Sequence, residues 1–155
     1  MGDISQSSPP PLYTLMTNKK VIIDTPNPLF YHKHRGDGQI QKNLLALMYL
    51  ISSGIGIIAT ITPKMYRYDP VIVNNLELII KSKGGQVIPV LDKDPDVVVL
   101  ELSMETKLPI LTNDKFKQDK YKQYPVSNII RYDVIGNRIK PRNKFWNNYL
   151  WGTSE

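Results

Sequence analysis

The sequence predicts an α/β domain built on a mostly parallel sheet of about five strands with helices on both faces, and three observations lead to it. Short β-branched runs alternate with longer stretches whose apolar residues recur every three or four positions. The short runs are apolar on every residue, as strands covered on both faces of a parallel sheet are. Pro and Gly punctuate the boundaries between the two kinds of segment.

Residues 1–18, with Ser7, Ser8 and the run Pro9, Pro10, Pro11, are too polar and proline-rich to pack and read as a flexible leader. Lys20 to Asp24 (KVIID) is a buried strand, ended at Thr25-Pro26-Asn27 because Pro26 cannot donate to a ladder. From Gly38, residues Ile40, Leu44, Leu47, Met48 and Ile51 mark the apolar face of a helix closed by Gly54. Ile55 to Thr62 is the second strand. Asp69 and Pro70 form a cap and first-turn pair that opens a helix through Leu76, Ile79 and Ile80, ending at Gly84 and Gly85. Gln86 to Leu91 is the third strand. Asp94 and Pro95 repeat the cap, so Val97 to Lys107 is read as a helix despite its three valines. Pro109 to Thr112 and Asn128 to Tyr132 are the fourth and fifth strands, followed by a turn at Gly136 and Asn137. Residues 19–141 thus make up the domain and 142–155 an aromatic tail. The segment from Lys144 to Trp151 is expected to dock on its own domain, the alternative being a partner-binding segment that folds on contact.

Composition narrows the chemistry. A chain of 155 residues fits one domain, and the absence of cysteine excludes disulfides, a thiol nucleophile and cysteine-ligated zinc. With only two histidines besides, no zinc finger can be encoded. The longest apolar stretch, Leu44 to Ile51, is far shorter than the ~20 residues needed to cross a bilayer, and the N-terminus has no signal-peptide pattern. An intracellular protein, cytoplasmic or nuclear and away from membranes, is expected. The net charge of +6 fits a polyanionic partner, although net charge alone is equally compatible with mere solubility.

The arrangement of acids is more telling. Asp24 follows strand one, Asp96 opens the third helix and Asp114 follows strand four, so a parallel sheet delivers all three to its carboxyl edge. Clustered carboxylates repel unless a divalent cation compensates, and hard oxygen donors suit Mg²⁺ or Mn²⁺. Each aspartate taken alone is more often a cap than a ligand; Asp94 and Asp69 are read as caps only. Near the same edge lie His32, Lys33, His34 and Arg35 after strand one and Lys64, Tyr66 and Arg67 after strand two, which read as RNA-contacting loops or, alternatively, as solvated ones. A general-base role for His32 or His34 is the lesser expectation.

The segment Leu108 to Phe116 (LPILTNDKF) resembles the third motif of PIN-like NYN-domain nucleases, specifically the Regnase-type ribonucleases that carry CCCH zinc fingers. Val21 to Asn27 (VIIDTPN) is similar to their first motif, Ile61 to Arg67 (ITPKMYR) to their second strand and aromatic-basic loop, Asp94 to Asp96 to their acidic pair, and Arg131 to Pro141 to their closing hairpin. The likeness spans about residues 20–141. It implies a PIN-like NYN nuclease domain: an endoribonuclease with Mg²⁺ (or Mn²⁺) held by Asp24, Asp96 and Asp114, leaving a 5′-phosphate and a 3′-hydroxyl. Asn27 would orient Asp24 or the phosphate, Thr112 and Asn113 would hydrogen-bond the carboxylates, and Asp119 would be a fourth acid, one residue later than the family places it. Pro26 replaces a small flexible residue, and the family's arginine-rich loop is shortened to Leu91, Asp92 and Lys93. Without a zinc finger, target choice would fall to a protein partner, a second copy of the chain or other surfaces. The alternative is a catalytically inactive PIN-like module that binds RNA or protein within a larger complex. A phosphatase-like hydrolase is disfavoured by the lack of a Gly-rich phosphate loop.

Overall fold

The computed structural model describes residues 19–36 and 38–152, so the leader over 1–18 lies outside the described residues. Its central feature is a five-stranded sheet in the order β3-β2-β1-β4-β5, formed by β1 (Lys20–Ile23), β2 (Gly56–Ile61), β3 (Gln86–Pro89), β4 (Ile110–Leu111) and β5 (Ile129–Ile130). Every pairing in it is parallel, with Val21 beside Ile57, Ile58 beside Gln86, Ile23 beside Leu111 and Ile110 beside Ile129. The α/β fold expected from the sequence is the fold observed.

Side chains alternate across this sheet and fill two cores, which is why most strand positions on both faces are apolar. Val21, Ile23, Ile57, Ala59, Ile61 and Leu111 face one core, and Ile22, Ile58 and Ile110 face the other. The first core is closed by α2 (Gln39–Ile51) and α4 (Pro70–Ser82), through Ile40, Ala46, Leu47 and Leu50 on one helix and Val73, Leu76 and Ile80 on the other. α4 starts as its Asp-Pro pair implies: the Asp69 carboxylate accepts from the amides of Val71 and Ile72 at 3.1 Å each. It ends at Gly84, in the left-handed region at φ +82°, followed by Gly85, where a Cβ would meet the Ile80 side chain at 2.7 Å. The second core is closed by α5 (Pro95–Thr106) alone, using Val99 and Leu100, with Tyr121 behind them.

Two short helices depart from the sequence reading. The chain after β1 turns directly into α1 (Pro26–Leu29), and the chain after β2 into α3 (Pro63–Tyr68), where loops were expected. Pro26 and Pro63 occupy first-turn positions, where a missing amide hydrogen costs nothing. The Thr62 hydroxyl caps α3 by accepting from the Met65 amide at 3.4 Å. Buried Asn43 on α2 fixes the exit from α1, its amide donating to the carbonyls of Leu29 at 2.9 Å and Tyr31 at 2.8 Å.

Beyond the sheet, β6 (Tyr132–Ile135) and β7 (Arg138–Pro141) form an antiparallel hairpin that packs on α2. The aromatic segment becomes α6 (Lys144–Trp151), and it packs on the domain. Leu150 is buried in the first core, the Tyr149 hydroxyl donates to the Lys20 carbonyl at 2.7 Å, and the Trp151 indole donates to the Ile139 carbonyl at 3.0 Å. Among the described residues no helix is long and apolar enough to cross a membrane.

Candidate metal centre

β1 and β4 run side by side in the same direction, so both release their next residues at one edge of the sheet. Asp24 and Asp114 emerge there, and the first turn of α5 brings Asp96 to the same place. One carboxylate oxygen from each of the three lies within 4.8 Å of the others.

The environment penalises three negative charges. Asp24 is only 4% exposed, and burial pushes its carboxyl up to about 7, with the charges of Asp96 and Asp114 adding to the rise and the Thr112 hydroxyl opposing it. Burial and the neighbouring Asp114 carry Asp96 up to about 6. A donor set made wholly of carboxylate oxygens, destabilised by its own repulsion, fits a hard divalent cation, whose charge would offset both burdens.

Hydrogen bonds hold the acids in place. The Thr112 hydroxyl donates to Asp24 Oδ2 at 2.8 Å and accepts from the Asp114 amide at 3.1 Å, linking two of the three. Asp114 Oδ1 also accepts from the Phe116 amide at 2.8 Å, which shapes its loop. Asn27 does not bond either Asp24 carboxylate oxygen; its Oδ1 accepts from the Asn113 amide at 2.8 Å and the Tyr132 hydroxyl at 2.6 Å. Asn113 differs from the sequence expectation as well. Its side chain turns away from the carboxylates to pair with the backbone of Tyr132 in both directions, at 3.0 Å each, and so satisfies both the N–H and the carbonyl of that residue. Arg131 completes the clamp by donating through one Nη1 to the carbonyls of Thr112 and Asp114.

The other acids sit apart. Asp94 caps α5 by accepting from the Asp96 amide at 2.9 Å, and its second oxygen takes the Tyr121 hydroxyl and the Lys120 ammonium, both at 2.8 Å. Against the opposing effect of its partial burial, those partners hold the Asp94 carboxyl below its ordinary value. Asp119, the fourth-acid expectation, does not join the trio: its side chain is 92% exposed and pairs with Lys122 at 3.0 Å, because it opens a short 3-10 turn facing solvent.

The three acids line a cleft of about 670 Å³ whose walls carry Lys33, Lys64, Arg67 and Lys93. Of the RNA-contact expectations, Lys33, Lys64 and Arg67 therefore border the acids. Arg35 and Tyr66 do not line the cleft; Arg35 is on the exposed side of a 3-10 turn, and Tyr66 packs against the first core because α3 is a helix and turns its ring inward. His32 and His34 stack in a row with Tyr31, ring centroids 4.0 and 5.7 Å apart, away from the cleft lining. Lys93, Arg131 and Tyr132 were missed. Lys93 was detectable as a cation in the loop between strand three and the Asp94 cap, whereas nothing local marks Arg131 or Tyr132.

The sequence matches no family model and no curated protein. The backbone does match solved structures. The fold is one they share. A structure of nuclear protein-only RNase P 2 from Arabidopsis thaliana superposes with a TM-score of 0.56 at 13% identity, covering 81% of this chain and 29% of that one. A second structure of the same plant protein gives 0.56 at 16% identity, covering 81% and 30%. The chain thus spans less than a third of the neighbour's length, and the likeness is one of fold.

Proposed function

We propose that this chain is the nuclease domain of a divalent-metal-dependent endoribonuclease that cuts single-stranded or loop RNA. The convergence of Asp24, Asp96 and Asp114 at the carboxyl edge of the sheet, beneath a wall of four cations, carries the reading. The shared fold with an RNase P structure and the Regnase-like order of motifs support it.

A cation held by the three aspartates, Mg²⁺ or Mn²⁺, would activate water and neutralise charge on the phosphoryl group. The protein's own residues do the rest. Lys33, Lys64, Arg67 and Lys93 draw the phosphodiester backbone over the acids and hold it there. Thr112 fixes the Asp24 carboxylate, and the Asn27, Asn113, Tyr132 and Arg131 contacts fix the loop that presents Asp114. In-line attack of water at phosphorus breaks the bond to the 3′ oxygen and leaves a 5′-phosphate and a 3′-hydroxyl. Flexible single-stranded backbone reaches that geometry most easily. Target choice would fall to a protein partner, a second copy of this chain or other surfaces.

The test incubates labelled RNA with wild type and Asp114→Asn in Mg²⁺, Mn²⁺ and EDTA. Cleavage by the wild type alone, and only with metal, is expected. Activity that survives either the substitution or chelation refutes the mechanism; Mn²⁺ binding with no cleavage on any RNA favours the inactive module.

A further inference from the structure

α5 is apolar on more than the side that meets the core. Val99 and Leu100 are buried in the second core, but Val98, Leu102 and Met104 look sideways into a cavity of about 710 Å³ between the helix and the edge strand β3. Ile88 from β3 and the ring of Tyr124 line it too. Among the described residues only α5 covers this face of the sheet, which leaves the flank beside β3 open. The cavity also adjoins the metal cleft: Val90, Leu91 and Lys93 line both.

We propose that this cavity receives the nucleobase next to the phosphate held over Asp24, Asp96 and Asp114, and that it selects guanine. The proposal rests on the nuclease reading of the cleft and adds the base preference to it. Chemistry separates base from backbone along this path. Glu101 and Glu105, one helical turn apart on α5, both line the cavity. Two carboxylates repel a phosphodiester, so the strand's backbone stays with the cations of the cleft while the cavity takes its uncharged part. Aliphatic walls and an aromatic ring suit the flat face of an unstacked base. The carboxylates only accept hydrogen bonds. Among the four bases guanine offers adjacent N–H donors, at N1 and N2, on one edge; uracil sets a carbonyl oxygen on each side of its N–H, cytosine has a ring-nitrogen acceptor beside its amino group, and adenine offers its amino group between ring-nitrogen acceptors. Lys93, 3.8 Å from Glu101 and shared by both cavities, marks the junction where phosphate gives way to base.

The experiment labels the methionine methyl groups with ¹³C and titrates guanosine, adenosine, cytidine and uridine monophosphates into the metal-free protein, following the Met104 signal, assigned by its loss in Met104→Leu. Guanylate should move this signal at concentrations about tenfold below the other three, and combined Glu101→Gln and Glu105→Gln should abolish that advantage while leaving Mn²⁺ binding at the acids unchanged. Equal response to all four nucleotides, no response to any, or a guanylate advantage untouched by the double substitution overturns the proposal. The same preparations are tested for RNA cleavage. A wild type that cuts RNA without a guanine bias beside the cut and with an unmoved Met104 signal defeats the base pocket alone. A wild type that cuts nothing while guanylate still moves Met104 upholds the pocket and defeats the nuclease reading.

Discussion

Replacing Asp24 with Asn should make the metal-free protein more stable while destroying its site. Asp24 is almost wholly buried, and burial is the main reason its carboxyl rises from 3.8 to about 7. That difference corresponds to about 4 kcal/mol between the charged and neutral forms in the folded chain. The sign follows from linkage. Below 3.8 the carboxyl is protonated in both folded and unfolded chains and stability is at its fullest; as pH rises the unfolded chain ionises first, and the loss is complete once pH passes about 7. Asparagine keeps the shape, and its oxygen can still accept from Thr112, but it never ionises. In EDTA at pH 8, urea unfolding should therefore show Asp24→Asn more stable by about 2–4 kcal/mol, on the order of 5–10 °C in Tm, with the gap closing toward pH 4. Adding Mn²⁺ should stabilise the wild type and leave the variant unchanged. A variant that is no more stable than wild type at pH 8, or a gap that does not depend on pH, would refute the idea that burial disfavours the ionised Asp24 carboxylate in the folded chain.

Four further outcomes follow from the geometry. Asp94→Asn should retain Mn²⁺ binding by calorimetry, since Asp94 serves as a cap and a partner of Tyr121 and Lys120; loss of binding would make it a ligand. Tyr132→Phe removes the hydroxyl that holds Asn27 and should cost about 1 kcal/mol in denaturant unfolding together with a fall in kcat at unchanged RNA affinity. Combined Lys64→Ala and Arg67→Ala should weaken RNA binding and flatten its dependence on log salt concentration by about 1.4, the effect of two phosphate contacts on a single strand, as read by fluorescence anisotropy. Leu150→Ala should cost about 2–4 kcal/mol and expose the C-terminal helix to limited proteolysis, because that side chain anchors α6 in the first core.

Local chemistry set most of the framework. Runs such as Val21 to Ile23 and Ile57 to Ala59 are apolar at consecutive positions, as strands with two covered faces are, and the Asp-Pro pairs at 69–70 and 94–95 start helices where they stand. The same cap logic applied to Thr62-Pro63 would have revealed α3, and with it the inward turn of Tyr66. That Asp24, Asp96 and Asp114 would reach one edge was legible because parallel crossovers deliver strand ends together. Which atoms surround them was not. Asn113 turning to the Tyr132 backbone, Arg131 gripping the Asp114 loop, Asp119 facing solvent and the open flank of α5 beside β3 all depend on how segments distant in sequence pack. Propensity and periodicity act over a few residues, so the chain itself specified its strands, helices and caps; the Thr112–Asp24, Asn113–Asn27 and Tyr132–Asn27 bonds join positions 86 to 105 residues apart, and only tertiary packing could decide those.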